Sequence, residues 1–460
     1  MRLSALLPTL LTACALPLGA EDAVDALLHR EMIHAHIPGA AVAVIRNGRI
    51  EKLAAYGTAS LETGAPATPD TPFQLASTTK IFTGVLLMQL VEEGKVDLDA
   101  PIATYLGEVS PAWRAITVRH LAAHASGLKP QAVDGTGKDL AQAVKEAQAL
   151  PLAAAPGTVS AYGSYDFSVL ALVLEKAGGR PFADLLRERL WKPLGLTRTG
   201  FEDATQTGPT RTAEVIPGRA GVYQWQGDRQ RLHWFAYPSY TYAAGGAFAS
   251  LRDEATFLLA LDQGRLLTTA SRQAMWAPFR LGGGRSAGFG VGWSAGTLAG
   301  RPCVGHSGGP ALSDLIYLPH ERLGVIVLAN QHRLYPSLAR AIAARLLGAG
   351  PFAAEAAQAD PDPDLTARHR SLIEALARSQ AQAEAFSGEA ARALPETSPW
   401  LDLQLHPHGP LVRLAFRSER LADGQRIRVY RAFHESGAAV AWRFTLDARG
   451  RVADFDLQDE

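Results

Sequence analysis

Ser77-Thr78-Thr79-Lys80 sets a hydroxyl and an amine three residues apart. At the first turn of a helix both side chains share one face, so the amine can take the hydroxyl proton and leave an activated oxygen. The spacing alone is not selective, because Ser126-Gly127-Leu128-Lys129 has it too. There a glycine precedes Lys129-Pro130, and no helix can hold that pair together. As a purely structural residue Ser77 would cap a helix N-terminus. The surrounding segment, residues 73–99, supports a buried helix that starts at the serine and favours the chemical reading. Tyr162-Gly163-Ser164 lies between Pro156-Gly157-Thr158 and a helical pattern that begins at Phe167. A phenol there can relay a proton to Ser77 and to a leaving group. Tyr237-Pro238-Ser239 repeats the spacing, and a lone tyrosine at a helix start is more often a packing residue.

Gly305-His306-Ser307-Gly308-Gly309 supports two readings. As Gly-x-Ser-x-Gly it is a nucleophile elbow with Ser307 as nucleophile, which requires strand, sharp turn and helix. Pro310 and a hairpin pattern follow instead, so the required helix is missing. As the edge of an active-site strand, His306 offers a donor to a substrate carboxylate or carbonyl. The N–H of Gly309, with that of Ser77, then forms an oxyanion hole. His120 and His124 stand four apart, but Leu121 occupies the place where a zinc protease needs glutamate. They read as two structural histidines. Gly282-x-Gly284-x-x-Ala287 reads as a loop, because no helix follows it to receive a dinucleotide.

The elements that must position these residues follow from patterning. Residues 40–45 and 50–56 flank an Asn47-Gly48 turn and predict a hairpin. Residues 314–318 and 325–329 predict another. Residues 78–93 and 167–177 carry apolar side chains at helical spacing and stop at Gly94 and at Gly178-Gly179. Strands near both ends with helices between them predict an α/β (α+β) fold. Its mostly antiparallel sheet is completed by both chain ends and carries a mostly helical subdomain. Residues 351–363, rich in Ala, Pro and Asp, read as a linker. Beyond it one helix (365–382) and several strands, including 440–446 and 452–457, form a small C-terminal α+β domain over residues 364–460.

Composition narrows the function classes. The chain has 460 residues, and 45 Lys+Arg balance 45 Asp+Glu, so the basic excess a nucleic-acid partner demands is missing. Hydrophobic residues at 47% and charged ones at 20% are ordinary for a globular chain. Two cysteines, Cys14 and Cys303, are too few for a disulfide framework or a cysteine zinc site, and no cofactor or metal is called for. Met1-Arg2 and an apolar run at residues 3–16, then Leu18-Gly19-Ala20 before Glu21, predict a signal peptide over residues 1–20. The protein is therefore expected to be exported, periplasmic or secreted. The alternative is a lipoprotein anchored through Cys14, since Leu11-Thr12-Ala13-Cys14 is similar to a lipobox. No later stretch is long and apolar enough to predict a membrane span.

Taken together, the segments resemble the serine β-lactamase and penicillin-binding superfamily, in its class C, D-aminopeptidase and esterase branch. The resemblance runs over residues 22–350. It is carried by Phe73 to Asp99, Thr117 to Leu128, Tyr162 to Gly179, Ala243 to Ser250 and Gly305 to Gly309 followed by a strand pair. It implies a β-lactamase/transpeptidase-like fold and an acyl-enzyme serine hydrolase. On this resemblance Ser77 is the nucleophile, Lys80 its activating base and Tyr162 the second proton carrier. His306 takes the place of the third motif's usual lysine or histidine, beside Gly308 and Gly309, and the amides of Ser77 and Gly309 receive the oxyanion. The second motif ordinarily ends in Asn, where this chain has Ser164. A hydroxyl cannot present both an amide donor and an amide carbonyl to substrate. With a histidine, which can be neutral at pH 7, in the third motif as well, the pattern favours an esterase or peptidase with a different acyl donor: a hydrolase of unknown acyl donor ranks first, carboxypeptidase or D-aminopeptidase second and β-lactamase third. The implied partner is a small-molecule or peptide substrate. A penicillin-recognising or scaffold protein with slow or no turnover is the alternative. An aromatic stretch, Tyr223, Trp225, Trp234, Phe235, Tyr237, Tyr240 and Tyr242, would wall an apolar cleft or simply pack as a hairpin.

Overall fold

The computed structural model describes residues 22–129, 138–207, 210–233, 237–309, 312–332, 338–348, 358–422 and 424–459. The expected signal peptide lies outside them, as do Trp234, Phe235 and residues 351–357 of the expected linker.

A seven-stranded antiparallel sheet organises the larger unit. Its order is Ser294–Leu298, Arg301–Gly308, Ser313–Leu318, Leu323–Ala329, Gly39–Arg46, Arg49–Ser60 and Ala65–Pro66. Sequence-distant strands meet at its centre, where Ala40 pairs with Ala329 and Arg46 with Leu323. Gly39–Arg46 is buried on both faces. Ala41, Ala43 and Ile45 belong to the larger core, whereas Ala40, Val42 and Val44 belong to a second one. This is why the segment is a continuous apolar run rather than an alternating one. Helices Ala23–His34 and Leu338–Leu346 cover the second face. Thr79–Glu92, Ser164–Gly178 and Leu251–Asp262 build the first.

Helix Thr79–Glu92 is buried almost all round, so it carries no polar stripe. Its Gly84 permits a close crossing, because a Cβ there would come within 2.3 Å of the Val291 carbonyl oxygen. The helix ends as expected, with Gly94 in the left-handed region at φ 68°.

The C-terminal part has its own four-stranded antiparallel sheet and its own core around Tyr430, Trp442 and Phe444. It corrects one expectation: two long helices, Pro363–Leu376 and Gly388–Leu405, precede the strands, not one. The second escapes pattern reading because Pro395 and Pro399 lie inside it, and interior prolines ordinarily argue against helix. Its end packs on helix Ala23–His34. There His406 Nδ1 lies 2.8 Å from Glu31 Oε2, and the His34 and His406 rings stack at 3.5 Å. No helix among the described residues is long and apolar enough to cross a membrane.

Candidate active site

Ser77 sits in a short 3-10 turn, Ala76–Thr78, that feeds directly into helix Thr79–Glu92. Ala76 has φ 47°, a left-handed conformation that costs a non-glycine residue roughly 1–2 kcal/mol. The neighbours hold it there. Thr79 Oγ1 donates to the Ala76 carbonyl at 2.7 Å, and Ser313 Oγ donates to the Leu75 carbonyl at 2.5 Å. Thr78 Oγ1 reaches the His306 carbonyl at 3.4 Å, tying the turn to strand Arg301–Gly308.

One helical turn further on, Lys80 is fully buried. Its Nζ lies 3.2 Å from Ser77 Oγ, 2.8 Å from Tyr162 OH and 2.6 Å from the Ala244 carbonyl oxygen. All three partners are oxygens, and none is a carboxylate. The rings of Tyr162 and Phe167 add two aromatic contacts, with centroids 4.8 and 5.2 Å from Nζ. Tyr162 remains 43% exposed, so the cluster opens to solvent along the phenol. Ser77, Lys80 and Tyr162 are thus brought within one hydrogen-bonded group. Such a group can move a proton from the serine through the amine to the phenol.

His306 stands on the same side, its ring 5.9 Å from that of Tyr162. It is 6% exposed, and burial, reinforced by Lys80, pushes its pKa down to about 3, so the ring is neutral. Its Nδ1 lies 2.8 Å from the Ser307 carbonyl oxygen and must carry the hydrogen. Nε2 therefore bears a lone pair and has no hydrogen-bond partner among the described residues. The residue expected to offer a donor presents an acceptor.

Ser307 alternates to the opposite face. Its hydroxyl donates to Asp314 Oδ1 at 2.9 Å, while Asp314 Oδ2 accepts the Ala339 amide at 2.9 Å. It lies within strand Arg301–Gly308, which is followed by strand Ser313–Leu318, so the elbow geometry is not formed. Gly308 packs against the Ser77 turn, and Gly309 follows at the exposed end of the strand. Ser164 opens helix Ser164–Gly178, two residues beyond Tyr162, and is half-buried.

The two histidines part company. Helix Val118–Ala122 ends before His124, whose φ of 54° turns it away from the helix. His120 completes a capping box with Thr117 and packs edge-on against Phe279. His124 instead lies 4.4 Å, ring to ring, from Tyr162, and its Nδ1 is 2.9 Å from Asp166 Oδ2. Ser126, dismissed as half of a chance Ser–Lys spacing, donates to the other Asp166 oxygen. Reading the sequence missed Asp166 altogether. The available signal was an acid between Tyr165 and Phe167 in an apolar helix, where a carboxyl must be buried.

The described residues of the aromatic stretch do not form one wall. Tyr240 is in the core, Tyr242 stacks on Phe201, Trp225 stacks on His36, and the Tyr223 hydroxyl accepts from the Leu61 amide. The glycine loop closes on itself through the Leu281 amide and the Arg285 carbonyl, 2.9 Å apart. Among the described residues no group of His, Cys, Asp and Glu could hold a metal ion.

The chain is 28% identical over 254 residues to the putative penicillin-binding protein PbpX of Bacillus subtilis (strain 168), covering 54% of this chain and 60% of that protein. It is 32% identical over 225 residues to esterase EstB of Burkholderia gladioli, covering 44% of this chain and 57% of that one. It thus spans less than two thirds of either relative. An octameric penicillin-binding protein homologue from Pyrococcus abyssi shares the fold, with TM-score 0.62 and 20% identity over 95% of this chain and 98% of that chain. The family model described as Beta-lactamase matches residues 24–350, and the chain belongs to that family.

Proposed function

We propose that the protein is a serine hydrolase that forms an acyl-enzyme on Ser77. One observation carries the reading: the buried Lys80 amine bridges the Ser77 and Tyr162 hydroxyls at 3.2 and 2.8 Å. Lys80, as the free amine, takes the Ser77 proton while the oxygen attacks an acyl carbonyl. The Ser77 and Gly309 amides receive the oxyanion. Tyr162 passes the proton to the departing alcohol or amine, and water repeats the sequence to release the acid. Ser164 and His306 line the substrate side of this reaction, with Gly308 and Gly309 beyond them.

The substrate is an ester, a D-amino-acid peptide or a β-lactam-like amide, in that order. Two features support an ester first: Ser164 in the place of an asparagine, and a neutral His306 that cannot anchor a carboxylate by charge. Similarity to an esterase points the same way. We assign the chemistry to residues 22–350, leave residues 364–460 without chemistry of their own, and read residues 1–20 as the leader of an exported protein. A penicillin-recognising protein with slow turnover is the second reading, favoured by similarity to a putative penicillin-binding protein.

The test is covalent labelling. The purified protein is exposed to a fluorophosphonate and, separately, to a fluorescent penicillin, and adducts are located by peptide mass spectrometry. An adduct on Ser77, lost in Lys80→Ala, is expected, and its lifetime sorts hydrolase from slow binder. No label on Ser77 from either probe would overturn the reading.

A further inference from the structure

His124 brackets Tyr162. The amide of Ala161, just before the tyrosine, donates to the His124 carbonyl at 2.9 Å. The amide of Gly163, just after it, donates to His124 Nδ1 at 3.4 Å. The two rings lie 4.4 Å apart, and Phe167 and Phe289 enclose the imidazole at 5.2 and 5.0 Å. One buried histidine thus holds the backbone on both sides of the phenol and packs on its ring, beside Phe289 and His306.

The hydrogens at that histidine can be assigned by what each neighbour must do. A backbone N–H can only donate, so the 3.4 Å approach of Gly163 calls on the single Nδ1 lone pair, which it shares with the shorter Asp166 contact. Asp166 Oδ2 approaches the same Nδ1 at 2.9 Å, and the hydrogen between them then belongs to the oxygen. Ser126 Oγ accepts the Leu128 amide at 3.0 Å and spends its own hydrogen on Asp166 Oδ1. We propose that Asp166 is a carboxylic acid that donates to His124 Nδ1, and that this uncharged pair is the positioning device for Tyr162. The proposal rests on the role given to Tyr162 above.

The surroundings agree. The two side chains are 3% and 1% exposed, and the charged and titratable groups that face the pair are Lys80, His306 and Tyr162. Burial pushes the Asp166 carboxyl up to about 8 and holds the His124 imidazolium well below its usual range. Losing the acid proton would force Nδ1 to acquire one, and Gly163 would lose its acceptor.

Asparagine reproduces the proposed pattern, with its amide N–H toward His124 and its carbonyl toward Ser126, and it cannot titrate. With p-nitrophenyl butyrate as substrate, Asp166→Asn is expected to keep kcat at pH 7 within about threefold and to lose the alkaline fall centred near 8. Asp166→Ala removes the donor. Its kcat is expected to fall about 10- to 100-fold at every pH, with KM little changed, as misplacement of a reacting group does. If Asp166→Asn folds but is as impaired as Asp166→Ala, a carboxylate is required and the proposal is wrong. A second measurement needs no Asp166 variant and no activity. In a Glu254→Gln background, which removes the other buried carboxyl raised to about 8, infrared difference spectra should show one protonated carboxyl lost near that pH. Absence of that band at pH 7 overturns the proposal. Absence of Ser77-dependent hydrolysis would instead sink the catalytic reading and leave the infrared result to decide the protonation of the pair.

Discussion

Gly308 lies so close to Leu75 that a Cβ built on it would stand 1.8 Å from the Leu75 carbonyl oxygen. The same carbonyl accepts the Ser313 hydroxyl, so strand and turn are locked at one atom. Gly308→Ala must push strand Arg301–Gly308 away from the turn that carries Ser77. Overpacking of this kind costs roughly 1–3 kcal/mol. A lowered Tm together with a loss of kcat of about 100-fold, from displaced oxyanion donors, is the expected outcome. Wild-type kcat in Gly308→Ala would show that the contact has no part in shaping the site.

Tyr162→Phe and Ser307→Ala separate the two serine readings. Removing the phenolic oxygen leaves Lys80 with two polar partners and is expected to lower kcat by about 10²- to 10⁴-fold. Ser307→Ala only unties a hydrogen bond to Asp314, costing about 1 kcal/mol of stability while acylation of Ser77 continues. Mass spectrometry of fluorophosphonate-treated variants reads both directly. Loss of labelling in Ser307→Ala alone would reverse the assignment.

Glu254 is a stability liability that pH exposes. It is fully buried in helix Leu251–Asp262, and neither carboxyl oxygen has a hydrogen-bond partner among the described residues. Burial raises its pKa from 4.5 to about 8. Between those values the unfolded chain has already released a proton that the folded chain keeps. Stability therefore falls as pH rises from about 4.5 to about 8. Glu254→Leu is expected to raise Tm at pH 8 and to flatten that decline in a thermal-melt series. An unchanged slope would mean that the carboxyl titrates normally.

His306 has the opposite sign. Its pKa falls from 6.5 in the unfolded chain to about 3 in the folded one, so its contribution is complete above pH 6.5 and is lost as pH drops toward 3. His306→Gln should remove part of the acid destabilisation in urea melts at pH 4. It should leave the shape of the kcat/KM profile between pH 5 and 8 unaltered, since the native ring is neutral throughout. A protonation step near 6.5 in the native profile that vanishes in His306→Gln would contradict the neutral ring.

The paired ends of the sheet were legible because Asn47-Gly48 marks a turn and residues 40–45 form an apolar run too short for a helix. Ser77 and Lys80 were legible because both lie on one helical turn. Tyr162 and His306 are distant in sequence, and reading them needed the order of several motifs. What patterning could not supply was His124. Its spacing from His120 suggests one helix face, yet the chain leaves the helix at Ala122 and turns left-handed. Asp166 hid for a related reason: helical periodicity assigns it a buried position, and only tertiary structure brings Ser126 and His124 to its oxygens. The described part of the aromatic stretch shows the converse, since Tyr223, Trp225, Tyr240 and Tyr242 are clustered in sequence and diverge to separate packing sites.

The pairing of Gly39–Arg46 with Leu323–Ala329 also dictates the order in which a growing chain can mature. The first hairpin is complete early, but one edge of its inner strand stays bare until nearly all of the larger unit has been made. Long-range pairings of this kind form slowly, and open strand edges invite association with other chains. His306 and Gly308 arrive on that same late segment, so Ser77 and Lys80 wait for the strand that completes their surroundings. An unfinished chain thus displays a sticky edge for as long as its chemistry is incomplete. A chaperone or protease that recognises such edges would discriminate against incompetent molecules without ever sensing the active site.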